Sequence, residues 1–200
     1  MKVEPNAEPK SGLKTYKKAI DDEKLKCLIE AAIFVHSGPL SIKEMKQTIF
    51  VNYHVTNKRI VAQLNTLDEE YKNRGIELVK VASGYRFQAA SLLNEDLSHL
   101  FKEKAPRYSG AMLETLSLVA YKQPITRGAI EDIRGVAVSS HIIKTLIERN
   151  WIKIVGHKEV PGRPALYATT NDFLDYFSLK SLKDLPKPLE IEKKTIVAPL

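Results

Sequence analysis

The sequence predicts an α+β, mainly helical fold in which one small unit, three helices followed by a β-hairpin, is built twice in tandem. Three observations predict it. Apolar residues recur at helical spacing in a series of stretches that begin on Ser or Thr and end on Gly or Pro. The period falls to two at residues 76–89 and again at 151–169, each time around a Gly-containing turn. Both halves also carry the order Pro, aliphatic, hydroxyl, three residues, aliphatic: Pro39-Leu40-Ser41 with Met45, and Pro124-Ile125-Thr126 with Ile130.

In chain order, residues 23–37 place Leu25, Leu28, Ile29, Ala32 and Ile33 on one helical face, and Gly38-Pro39 stops that helix. Ser41 followed by Glu44 is a capping-box pattern for a short helix with Ile42, Met45 and Ile49 on its inner side. Thr56 precedes a longer helix in which Ile60, Leu64, Leu67 and Tyr71 recur, ended by Gly75. Residues 76–81 and the alternation Tyr85, Phe87, Ala89 make a hairpin around Ser83-Gly84. Leu92, Leu93, Leu97, Leu100 and Phe101 predict a fourth helix.

The second half repeats the order. Ser109 caps a helix with Met112, Leu113, Leu116, Val119 and Ala120 on its apolar side, ended by Pro124. Thr126 caps a short helix carrying Ile130 and Ile133, and Gly135 closes it. Ser139 or Ser140 opens a third with Ile142, Ile143, Leu146 and Ile147 inward. Residues 151–155 and 166–169 pair around Pro161-Gly162-Arg163-Pro164, and a terminal helix near residues 172–177 completes the unit. Three helices capped by a hairpin is the winged-helix variant of the helix-turn-helix. The boundaries that follow are an N-terminal extension at 1–22, winged-helix units at 23–101 and 109–179, a charged connection at 102–108 and a tail at 180–200, with both ends expected to be mobile.

A chain of 200 residues, 44% apolar, buries a core without metal or disulfide staples, so Cys27 reads as a small packed hydrophobe in a reducing, intracellular setting. No apolar run is long enough to span a membrane, and the polar first residues do not resemble an export signal. The net charge of +7 invites a nucleic-acid reading, yet residues 23–101 and 109–179 carry only +1 each; the excess lies mostly in the connection and tail. The third helix of each unit, where a DNA-binding relative reads bases, is mixed: Lys58, Arg59, Gln63 and Asn65 precede Asp68, Glu69 and Glu70, and Ser139, Ser140, His141, Lys144 and Arg149 surround Glu148. Lys102, Lys104 and Arg107 are either a soluble connection or a grazing contact to DNA held elsewhere. Phosphate-loop, zinc and nucleophile-elbow motifs are absent, and the five histidines form no local metal motif.

Residues 114–126 (Glu-Thr-Leu-Ser-Leu-Val-Ala-Tyr-Lys-Gln-Pro-Ile-Thr), Ile133-Arg-Gly-Val136 and residues 161–170 (Pro-Gly-Arg-Pro-Ala-Leu-Tyr-Ala-Thr-Thr) closely resemble the segregation and condensation protein B family, and the resemblance extends over residues 23–178. It departs at residues 137–140, usually polar in the family, and in the basic tail, where many members are acidic. The resemblance implies a non-enzymatic accessory subunit of a bacterial SMC–kleisin condensin, without metal or cofactor. It further implies homodimerisation through 23–101 and binding of the kleisin, segregation and condensation protein A, through 109–179. The SMC ATPase and DNA are then reached through that complex, in a cytoplasmic, nucleoid-associated setting, for chromosome condensation and segregation in cell division. The alternative is a winged-helix transcription regulator.

Tyr121, Gln123, Arg134, Arg163 and Tyr167 are the candidate partner-binding residues. Tyr and Arg are common interface anchors, and Tyr121, Gln123 and Arg134 could share one surface near the Pro124 turn. Arg163 sits on a tip stiffened by two prolines, which suits it to a partner carboxylate. For each, an internal role is the competing reading: Tyr121 or Tyr167 in the core, Arg134 against a helix C-terminus, Arg163 as an exposed turn residue. Trp151 is expected to anchor the second hairpin on its helices.

Overall fold

The computed structural model describes residues 17–100 and 108–187. About half of them are helical, and the strands form small antiparallel sheets. Two separate hydrophobic cores organise the chain.

The first core is built by α1 (Asp22–Val35), α2 (Ile42–Gln47) and α3 (Asn57–Tyr71). Each starts where a side-chain oxygen accepts from an otherwise unpaired backbone N–H: Asp21 from Lys24, Ser41 from Glu44, Thr56 from Arg59. The reciprocal half of the expected capping box is absent, because the Glu44 carboxylate faces His36 Nε2 at 3.6 Å instead. The stripe Ile60, Leu64, Leu67 and Tyr71 is buried, as its spacing predicts. Strands β1 (Ile76–Lys80) and β2 (Tyr85–Ala89) pair from Ile76↔Ala89 to Lys80↔Tyr85.

The second core repeats this with α5 (Gly110–Lys122), α6 (Arg127–Arg134) and α7 (Ser140–Glu148), capped by Ser109, Thr126 and Ser139. Gly135, at φ 70°, ends α6 in the left-handed conformation that glycine adopts without a Cβ clash. Strands β4 (Ile152–His157) and β5 (Ala165–Thr169) form the hairpin, and α8 (Asn171–Tyr176) closes the unit. Trp151 is buried beneath Tyr108, Tyr176 and Phe177, as expected of an anchor.

Four expectations are corrected. The first hairpin is a two-stranded sheet, as expected, but the second is not. A short strand β3 (Ile125–Thr126) adds to β5, giving the order β3-β5-β4. In the first unit Leu40 makes the equivalent rung: its N–H donates to Tyr85 O at 2.8 Å and its carbonyl accepts from Tyr85 N at 3.0 Å. The Pro-aliphatic-hydroxyl repeat is therefore the place where each helical turn pairs with its own hairpin.

The predicted fourth helix is only a 3-10 turn, Ser91–Leu93, and one and a half turns of α4 (Asn94–Ser98), with Leu92 and Leu100 exposed; three acidic or amide residues, Asn94, Glu95 and Asp96, interrupt the apolar stripe. Of the flanking segments expected to be mobile, Lys18 pairs with residues 52–54 through the backbone and Ile20 enters the first core. Likewise Ser181 and Asp184 form a capping box around the turn Leu182–Asp184, while Leu185 packs on the second core. The connection at 102–107, Phe101, residues 1–16 and the tail beyond 187 lie outside the described residues. Finally, Cys27 is exposed rather than packed.

Candidate functional site

Tyr121 stands near the end of α5, half-buried, and its hydroxyl donates to the carbonyl of Pro186 in the ordered start of the tail. Gln123 follows α5 and stitches it to β5. Its Oε1 accepts from Thr169 N at 2.8 Å, and its Nε2 donates to Thr169 Oγ1 at 3.0 Å and to Ala120 O at 3.1 Å. The amide is thus satisfied inside the unit. Tyr167, in the middle of β5, is half-buried against the second core and pairs with Ile125 on one side and Ile154 on the other.

Arg134 lies elsewhere. Its Nη2 and Nε donate to Glu114 Oε2 at 2.9 and 3.2 Å, and its side chain is only 10% exposed against 64% for Glu114. Glu114 and Tyr121 share one side of α5 but stand two turns, about 10 Å, apart. The expected common surface at the Pro124 turn does not form, and the charge presented to solvent there is the carboxylate. Arg163 is exposed on the β4–β5 tip at φ 38°, after Gly162 at φ 83°. Its Nη2 donates to Glu159 Oε1 at 2.9 Å, an internal pair that orients it.

Of the five candidates, Gln123 and Tyr167 are tied into the β5 region, Tyr121 to the Pro186 carbonyl, and Arg134 and Arg163 each to a carboxylate of the same unit. What the helical patterns did not show is the exposure of aliphatic side chains that neighbour Glu114 and Arg134 in sequence. Leu113, Ile133 and Val136 are exposed, Ile133 by 54%, although Leu113 falls on the apolar side of its helix; Ile147, read as inward, is exposed as well. The signal was available in α6: eight residues make barely two turns, so one buried aliphatic, Ile130, suffices to dock it.

The first unit carries a second unforeseen feature. Phe34 and Val35 at the end of α1 are 73% and 77% exposed. Phe34 borders an open groove of about 500 Å³ between α1 and β2, shared with Pro39, Ile76, Arg86 and Phe87. A smaller hollow beside it adds Cys27, Ala31 and Tyr71. Tyr71 donates to the Glu30 carboxylate, and that hydrogen bond together with burial raises the phenol above its ordinary pKa.

The third helices offer little to a duplex. Arg59 is taken up by Asp22 and by Ile20 O, and Lys144 faces Glu148 at 3.7 Å. No group of three or more His, Cys, Asp or Glu side chains among the described residues is placed to hold a metal ion, and no helix among them is long and apolar enough to cross a membrane.

These features define an α+β protein with two cored, helix-rich units, small antiparallel sheets and open apolar surface on each unit. The sequence profile of the segregation and condensation complex subunit ScpB matches residues 27–188. The chain belongs to that family. It is 51% identical over 165 residues to a segregation and condensation protein B homolog of Coxiella burnetii, covering 82% of this chain and 78% of that one. It is 36% identical to segregation and condensation protein B of Syntrophotalea carbinolica over 88% of each chain. A crystal structure of ScpB from Mycobacterium tuberculosis is 28% identical over 79% of this chain and 97% of that one, with a TM-score of 0.37.

Proposed function

We propose that the protein is a non-enzymatic accessory subunit of a bacterial SMC–kleisin condensin that acts in chromosome condensation and segregation. Its two winged-helix units divide the work. The unit at 23–101 dimerises through the groove beside Phe34, and the unit at 109–179 receives the kleisin, segregation and condensation protein A. The SMC ATPase and DNA are reached through that partner.

The observation that carries this reading is the exposure of three aliphatic side chains, Leu113, Ile133 and Val136, close in sequence to an ion pair whose arginine is already covered. Exposed aliphatic side chains on a small module suit a protein contact, and burying them against a partner helix beside a charged rim is a common way to grip one. Near-neutral units in which Arg59 and Lys144 already face carboxylates suit a protein partner better than phosphate. Family membership supports the same assignment.

The test is calorimetric titration of the purified chain with the kleisin. Ile133→Asp with Val136→Asp weakens binding by about 30-fold or more, as loss of a central apolar contact does. Arg163→Glu weakens it several-fold, and an unchanged affinity would remove Arg163 from the interface. Phe34→Asp converts the dimer to a monomer in sedimentation without touching kleisin affinity per chain. Unchanged affinity in the double variant, or tight, strongly salt-dependent capture of duplex DNA by the protein alone, would sink the reading in favour of the regulator.

A further inference from the structure

The two cores are not joined only by the connection between them. The turn of the first hairpin, Ala82-Ser83-Gly84, rests on the end of α8 in the second unit. Ala82 N–H donates to Leu179 O at 3.0 Å, Ser83 N–H donates to Asp175 Oδ1 at 3.0 Å, and Arg86 Nη2 donates to Ser178 Oγ at 3.0 Å. The Ala82 side chain packs against the second core.

Asp175 decides how these contacts are read. Among the described residues the buried polar side chains are Thr115, Thr126 and Asp175. The two threonines work inside their own unit, Thr115 bonding Ala111 O one turn back and Thr126 capping α6. Asp175 has no such local task. It lies in the last turn of α8, whose start is already capped by Thr170, so its charge faces the negative end of that helix. Burying a carboxylate there is unfavourable unless a donor meets it, and the donor is the Ser83 amide of the other unit.

We infer that the first hairpin turn and the end of α8 form a latch that holds the two cores as one rigid body, with Asp175 as its positioning residue. The turn has the shape for this task because it cannot relax away. A Cβ on Gly84 would stand 2.4 Å from the Leu40 carbonyl, so the turn is pinned to the first core from behind while its amides point at the second. On the function proposed above, which this consequence alone rests on, the latch sets the spacing between the dimer groove at Phe34 and the partner surface at Ile133. A dimer then offers its kleisin surfaces at fixed separation.

The experiment uses the full chain without any partner, so its outcome does not depend on kleisin binding. Spin labels at Lys58→Cys and Lys144→Cys, in a Cys27→Ser background diluted with unlabelled protein, report the distance between α3 and α7 within one chain. A single narrow distance is expected. Asp175→Ala broadens it, and so does Arg86→Ala, while Asp175→Asn, which keeps the size and an acceptor oxygen, preserves it. Hydrogen exchange gives the second readout: the Ala82 amide exchanges about tenfold faster in Asp175→Ala, with amides inside α3 and α7 unchanged. Should Asp175→Ala fail to fold, Arg86→Ala decides. A broad distance in the parent protein, or a width and an Ala82 exchange rate that neither variant moves, overturns the latch.

Discussion

Replacing Gln123 by Ala tests whether that residue serves the fold or a partner. The substitution removes an acceptor for Thr169 N and donors to Thr169 Oγ1 and Ala120 O. Each such bond is worth about 1 kcal/mol net, and because the site is half-buried, water replaces part of what is lost. The expected cost is therefore about 2 kcal/mol, or about 8–16 °C in Tm for a cooperative unit of under a hundred residues. The assay is built into the chain. Trp151 is the single tryptophan, and it is buried in the second core, so its fluorescence during urea or thermal unfolding follows that core alone. An unmoved Trp151 transition together with lost kleisin binding would refute the internal role and return Gln123 to the interface.

Gly84→Ala forces a methyl group against the Leu40 carbonyl and, at 2.7 Å, against Ser41 N. Both are backbone and cannot swing aside, so the first unit loses about 1–3 kcal/mol, read as a lower far-ultraviolet melting temperature; an unchanged melt would show that the turn is loose. Leu146→Ala lowers the Trp151 transition by about 2–5 kcal/mol, whereas Ile133→Ala stays within about 0.5 kcal/mol because that side chain is already half in water. Equal effects of the two would contradict the burial described for them. Glu131 accepts from Val138 N at 2.8 Å and pairs with Arg127, which lowers its carboxyl pKa, the backbone bond first. Its folded pKa lies below its unfolded value, so the stability it adds is present above the ordinary glutamate range and is lost as pH falls through the folded pKa. Glu131→Gln therefore flattens the acid limb of the Trp151 midpoint between neutral pH and pH about 3; superposable curves would argue against it.

The helices and both hairpins were legible because each has a local cause: a hydroxyl or carboxylate that caps, a stripe at 3.6 spacing, a glycine that stops. The rung strands were not, since Leu40 and Ile125 look like loop residues until a strand about forty positions downstream reaches them. The short α4 misled for the opposite reason, its leucines being regularly spaced but without a core to meet. Among the site candidates, Arg134 reads as an interface anchor or as a partner of a helix C-terminus, and nothing local reveals that it instead pairs with Glu114, the more exposed member of the pair. Ile133 and Leu113 stayed hidden because a periodic pattern lists apolar positions without saying how many of them a short helix can bury. The junction at Asp175 was beyond any local rule, joining residues more than ninety positions apart.

The paired rungs, Leu40 with Tyr85 and Ile125 with Tyr167, have one more consequence. Each ties the entry of a short helix to the last strand of its own unit, so the intervening chain is stapled at both ends into a self-contained ring. Extra residues inserted at the hairpin tips would leave either ring shut, whereas a cut between rung and strand would open one ring and spare its twin. A duplicated gene segment encoding such rings could be copied, joined and diverged without first acquiring a new way to close.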